Sequence, residues 1–170
     1  MANKLHIGSG TPTNLYVGTT QVTKAYLGTT QVWGPDGSGP NLYITPATGS
    51  YNTGDTVQIA IRVNSQSTEI NAVQANLTYP TNRLTYQSMS FTGSPLTTQV
   101  QQTGGSGEVR IASTILASSV TGDQLVATVT FTATGAGSAS VAFMASSKIA
   151  AYADATDVLS GTTGAAYVIS

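Results

Sequence analysis

From Asn41 to the C-terminus, apolar and polar residues alternate in short runs. Val57, Ile59, Ile61 and Val63 are separated by Gln58, Ala60 and Arg62, the period of two that a strand with one buried face requires. Val73, Ala75, Leu77 and Tyr79 alternate with Gln74, Asn76 and Thr78, and Leu125, Ala127, Val129 and Phe131 repeat the pattern. Val141 with Phe143 continues it, and shorter runs occur at Leu42-Tyr43-Ile44, Val109-Arg110-Ile111 and Tyr167-Val168-Ile169. Turn-forming residues lie between the runs, at Thr48-Gly49, Gly54-Asp55, Tyr79-Pro80, Gly104-Gly105, Gly122-Asp123 and Gly135-Ala136-Gly137. No stretch has the spacing of a helix. The pattern predicts an all-β fold, an antiparallel jelly-roll or Ig-like β-sandwich of about nine strands in two packed sheets. Its expected core is Val57, Ile59, Ile61, Val73, Leu77, Leu125, Val129, Phe131, Val141 and Phe143.

The first 34 residues follow a different rule, a repeat with a period of ten. Leu5-His6-Ile7-Gly8 is followed by Leu15-Tyr16-Val17-Gly18 and by Ala25-Tyr26-Leu27-Gly28, with matching spacers Thr19-Thr20-Gln21-Val22 and Thr29-Thr30-Gln31-Val32. Each unit predicts a short strand, a glycine turn and a second β-prone piece. Three such units are too small to bury a core of their own. Residues 1–34 are therefore expected to form a docking or oligomerisation segment, with a meander packed on the main domain as the rival arrangement. Leu15, Tyr16, Val17, Tyr26, Leu27, Val32 and Trp33 are its candidate interface residues. Residues 35–40, Pro35-Asp36-Gly37-Ser38-Gly39-Pro40, read as a linker, and 41–170 as the sandwich domain.

Composition narrows the function. Charged residues are only 8% of the chain and the net charge is −1, so no basic patch awaits a nucleic-acid backbone. No apolar run reaches the roughly 20 residues that span a bilayer, so no membrane is expected. Thr, Ser and Gly number 28, 18 and 18; solubility rests on hydroxyls rather than charge, a surface shared by secreted adhesins and virus particles. Cysteine is absent and His6 is the only histidine, which leaves no thiolate site and little for zinc. Residues 1–6 lack the apolar stretch of a signal peptide, so synthesis in a host cytoplasm is expected, and the Asn76-Leu77-Thr78 glycosylation triplet then carries no meaning.

Two resemblances follow from particular residues. Thr53-Gly54-Asp55-Thr56-Val57, the run from Ile70 to Pro80, Gly107-Glu108-Val109-Arg110-Ile111-Ala112, the run from Gly122 to Phe131 and Gly137-Ser138-Ala139-Ser140-Val141 together resemble a cohesin-type domain over about residues 42–170. That resemblance implies a jelly-roll sandwich related to a carbohydrate-binding module. It also implies a relation to modules that hold dockerin partners, although fold alone does not transfer function. Leu15-Tyr16-Val17-Gly18, Val22-Thr23-Lys24-Ala25-Tyr26-Leu27-Gly28 and Val32-Trp33-Gly34 resemble the N-terminal repeat of tailed-phage virion proteins. The first unit departs from it, with Ser9-Gly10-Thr11-Pro12 in place of Thr-Thr-Gln-Val. The combination implies a virion structural protein, one that decorates a capsid, with the major capsid protein or another virion protein as partner and homo-oligomers expected. A tail or baseplate location, and a cohesin-like adhesion module binding a partner protein or surface glycan, are the alternatives.

Chemistry offers less. Asp154 and Asp157 are the nearest approach to a calcium pair, but solvated turn carboxylates are the favoured reading. Asp36, Asp55, Glu108 and Asp123 sit beside glycine, as turn residues do, and Glu69 stands apart. No nucleophile–base pair stands out; neither an enzyme nor a cofactor is expected. The tyrosines at 43, 51, 79, 86, 152 and 167 are read first as packing residues, with weak glycan or host-surface binding as a secondary expectation.

Overall fold

The computed structural model describes residues 39–170 in full and the backbone of four strands within residues 15–33. The chain divides into two units, 1–39 and 40–170. In the first, β1 (Leu15–Val17) pairs antiparallel with β2 (Thr20–Val22), setting Leu15 opposite Val22. β3 (Ala25–Leu27) also pairs antiparallel with β4 (Thr30–Trp33), with a register shift between Ala25 and Tyr26 that sets Ala25 opposite Trp33. The strand–turn–strand unit read from the repeat is thus a two-stranded hairpin, formed twice. The Leu5 unit and every side chain of this segment, including those of Leu15, Tyr16, Val17, Tyr26, Leu27, Val32 and Trp33, lie outside the described residues.

The second unit is a two-layer sandwich. It holds β5 (Asn41–Thr45), β6 (Thr48–Tyr51), β7 (Thr56–Asn64), β8 (Ile70–Thr78), β9 (Leu84–Ser90) and β10 (Thr98–Gly105). After these come β11 (Glu108–Thr114), β12 (Asp123–Ala133), β13 (Gly137–Phe143), β14 (Lys148–Ala151), β15 (Gly161–Thr163) and β16 (Ala165–Ile169). No helix occurs among the described residues. The five-stranded sheet has the order β15-β5-β7-β12-β9, and the seven-stranded sheet β10-β11-β8-β13-β16-β6, with β14 also beside β8.

These are twelve strands rather than nine. Those without a legible apolar alternation, such as β6, β10, β14 and β15, are short or lie at an edge, where burial demands no alternation. The sheets are also mixed rather than purely antiparallel: β15 runs parallel to β5, and β16 parallel to β6. Both ends of the domain cross between sheets, β5 to β6 and β15 to β16, so the last two strands lie beside the first two. Backbone bonds from Thr53 N to the Ser170 carbonyl and from Ser170 N to the Tyr51 carbonyl fasten this closure, at 2.8 and 2.9 Å. Gly164 makes the second crossing against the Val141 carbonyl, which occupies the place of any Cβ.

The core lies between the sheets. Val57, Ile59, Ile61, Val73, Leu77, Val129, Phe131 and Val141 are buried as the alternation predicts. Leu125 and Phe143 are not fully buried, and the reason for Leu125 is local. Leu125 opposes Arg62 while Ala127 opposes Ile61, so one extra residue bulges between them. Val126 takes the inward position and Leu125 turns outward, because a bulge reverses which face a side chain meets. Phe143 ends β13 and packs on the core's rim. Tyr79 and Tyr86 meet Phe131 edge to face, with ring centroids 4.9 and 6.3 Å away. Pro40, assigned to the linker by composition, is buried, and its carbonyl accepts the Ser160 amide at 2.8 Å.

Candidate partner-binding face

Outward-facing residues make two sheet surfaces of different chemistry. On the five-stranded sheet, β12 presents Thr128, Thr130 and Thr132, flanked by Ala60, Gln58 and Thr56 of β7 and by Ser90, Ser88 and Thr85 of β9. Hydroxyls cover most of this face. Its one charged cluster is Tyr43, Arg62 and Asp123. The Tyr43 hydroxyl donates to Asp123 Oδ1 at 2.7 Å, and Arg62 Nε donates to both, at 3.0 and 3.1 Å. Burial would raise the Asp123 carboxyl, but these two donors outweigh it and hold it below the usual carboxylate range. Burial, then the bond to Asp123, raise the Tyr43 phenol.

The seven-stranded sheet has a flatter outer face. Val109, Ile111, Val73, Ala75, Leu77 and Ile149 point inward, so their strand neighbours point out. Across β10, β11, β8 and β14 these form rows: Thr114, Ala72 and Ala150; then Gln101, Ala112, Gln74 and Lys148; then Thr103, Arg110 and Asn76, which the β13–β14 loop buries; then Gly105, Glu108 and Thr78. Ala112, Ala72 and Ala150 put short side chains around Gln74 toward the Ala72 end of the face. A partner's backbone can therefore approach closely. Arg110 and Glu108 are ion-paired at 2.7 Å and partly exposed, and Lys148 is exposed with no ion-pair partner among the described residues. Small apolar residues beside charged groups are compatible with a protein interface.

One device keeps this face continuous. β8 pairs with β13 at Leu77–Thr78 and with β14 at Ile70–Gln74, leaving a gap at Asn76. The loop between β13 and β14 fills it: the Met144 amide donates to the Asn76 carbonyl at 2.8 Å. The Ser147 hydroxyl accepts the Asn76 amide and donates to its carbonyl, both at 3.1 Å, in place of a missing strand. Asn76 Nδ2 donates to Ser146 Oγ at 2.9 Å.

Three of the carboxylates considered for metal binding or catalysis, Asp157, Asp154 and Asp55, serve the backbone. Asp157 Oδ1 accepts the Ile149 and Leu159 amides, each at 3.2 Å. Asp154 Oδ1 accepts the Thr156 amide at 3.0 Å, and that bond lowers its pKa. Asp55 accepts the Asn52 amide at 2.7 Å. Among the described residues no three His, Asp or Glu side chains gather as a metal site would require. Of the tyrosines, Tyr167 and Tyr79 are buried and Tyr152 is exposed. The face residues Ala72, Gln74, Arg110, Ala112, Lys148 and Ala150 were not singled out by sequence. The available signal was alanine at outward positions of strands, where polar residues are the norm.

The family model of the cohesin domain matches residues 40–167. The search of curated proteins found no match. Among solved structures, the seventh type I cohesin of ScaB from Pseudobacteroides cellulosolvens is similar, at 15% identity and a TM-score of 0.64, covering 78% of this chain and 92% of that one. A non-cellulosomal cohesin from Archaeoglobus fulgidus has 14% identity and a TM-score of 0.63, with the same coverages of 78% and 92%. The OlpC cohesin, solved in a type I cohesin–dockerin complex from Clostridium thermocellum, has 12% identity and a TM-score of 0.64, covering 77% and 93%. At these identities the solved structures speak for the fold, and the match over residues 40–167 supplies the conclusion that the chain belongs to the cohesin-domain family.

Proposed function

We propose that this chain is a non-catalytic adhesion module whose sandwich binds a partner protein through the outer face of β10, β11, β8 and β14. The observation that carries this reading is an outer face with three short alanine side chains beside charged groups, on a domain of the cohesin family. Its relatives include cohesins solved with dockerins, and a dockerin-like partner is the first to test. Calorimetric titration of the 40–170 fragment against a panel of dockerin modules should find a binder. Ala112→Arg should abolish that binding, while Ala60→Arg on the opposite sheet should not. The reverse pattern would move the site to the five-stranded sheet, and no binding across the panel would remove dockerins as partners.

The repeats favour a setting for this module. Two hairpins of similar sequence precede the sandwich, and an isolated hairpin is marginal in water. We infer that they attach the chain to a phage virion, as a capsid decoration protein that displays the sandwich outward; a tail or baseplate position is the alternative. Density for the chain on the icosahedral shell of a purified particle tests this, and density confined to the tail selects the alternative.

A further inference from the structure

The edges of the two sheets are unequal. β15 and β6 end their sheets with three and four residues, and short edges are one way to prevent edge-to-edge association. β9, the other end of the five-stranded sheet, has seven residues and a bulge in its pairing with β12. β10 ends the seven-stranded sheet with eight residues, Thr98–Gly105. It contains no charge and no proline, the two side-chain devices that usually block an edge. Val100 on this strand is 72% exposed. One device is present, a bulge between Gln99 and Gln101 in the pairing with β11. It makes Val100 the extra residue and leaves the ladder with β11 regular from Gln101 to Gly105, so a partner strand on residues 98–103 would pair across the bulge.

The edge is also suited to a copy of itself. Thr98-Gln99-Val100-Gln101-Gln102-Thr103 reads nearly the same in both directions about its midpoint. Antiparallel pairing of two copies about that midpoint sets Thr98 opposite Thr103, Gln99 opposite Gln102 and Val100 opposite Gln101. Thr–Thr pairs are favourable across antiparallel strands, and no like charges oppose each other. A two-fold interface of this kind closes on itself and makes a dimer rather than a fibre.

We propose that β10 is a self-association edge, through which two copies of this chain pair antiparallel and join their seven-stranded sheets into one. The two-fold axis between antiparallel strands stands perpendicular to the sheet, so the outer faces of both copies point the same way. Two partner-binding faces would then sit side by side, and a bivalent target would gain from their effective concentration. The pairing itself does not depend on the proposed partner or on the N-terminal repeats.

The test uses the full chain and the 40–170 fragment, whose buried apolar core comes entirely from residues 42–169. Sedimentation equilibrium from low to high micromolar concentration should show the fragment dimerising. Amides of residues 98–103 should gain hydrogen-exchange protection as concentration rises. Val100→Lys with Gln102→Lys, both at exposed positions, should weaken dimerisation at least tenfold without lowering the melting temperature. A fragment that stays monomeric throughout overturns the proposal, and so does a dimer that survives the double lysine variant. Larger assemblies formed by the full chain but not by the fragment belong to the repeats, and the double variant should leave them intact.

Discussion

Phe131 and Leu125 lie on one strand in the same alternation, yet their surroundings differ. Phe131 is buried between Tyr79 and Tyr86, and Phe131→Ala should cost roughly 3–5 kcal/mol, read from denaturant or thermal unfolding of the 40–170 fragment. Leu125 is turned out by the bulge, and Leu125→Ala should cost well under half as much. Equal losses would mean that the bulge is absent in solution. Ser147 sits deep beside Asn76 and serves both its amide and its carbonyl. Ser147→Ala strands the Asn76 amide, while the carbonyl keeps the Met144 amide, and a loss of about 1–3 kcal/mol is expected on the same assay. Ser113 is the opposite case: its hydroxyl is buried without a partner. Ser113→Ala removes a desolvated polar group and should leave the melting temperature unchanged or higher.

At the scale of elements, β5, β7 and β12 meet through Tyr43, Arg62 and Asp123. The folded Asp123 carboxyl titrates below its unfolded value. Its stabilisation is therefore complete above the unfolded pKa, about 4, and disappears as pH falls through the lower folded value. Arg62 and Asp123 are 28% and 46% exposed, so the contribution is small, about 1 kcal/mol or less. Wild type should lose stability more steeply than Asp123→Asn below about pH 4, and the two acid limbs should converge once the carboxyl is protonated. Parallel curves across this range would show that the cluster adds nothing. β8 is the element that organises the other sheet, since β11 covers one of its sides while β13, the Ser147 loop and β14 share the other. A partner seated on the outer face would thus rest on the most supported strand of that sheet.

At the scale of the whole molecule, labour divides between the two units. Leu5, Ile7, Leu15, Val17, Leu27, Val32, Tyr16, Tyr26 and Trp33 put a heavy apolar load into 34 residues. Burial against a shell or sister subunits would stabilise them at roughly 25 cal/mol per Å² of apolar area. Removing residues 1–39 should leave a soluble domain that unfolds cooperatively but no longer joins its particle. Trp33→Ala should weaken attachment more than any single change in the sandwich, measured as occupancy on purified particles, because large aromatic anchors dominate interfaces. A 40–170 fragment that still decorated particles fully would place the anchor in the sandwich.

Period-two alternation determined the fold class, the strands β7, β8 and β12 and most of the core, because burying one face of a strand imposes its period on sequence directly. The repeat likewise predicted strand–turn–strand units, two of which are antiparallel pairs. Other features depend on residues distant in sequence. The bulge at Val126 is invisible in the run from Leu125 to Phe131, since it is defined by how Arg62 and Ile61 fall opposite. The parallel pairings of β15 and β16 arise only when the two ends of the domain meet. The candidate face was not legible because Ala72, Ala112 and Ala150 belong to three strands and form one surface only through register. Alternation tells each residue whether it faces in or out; tertiary structure alone decides which outward residues become neighbours.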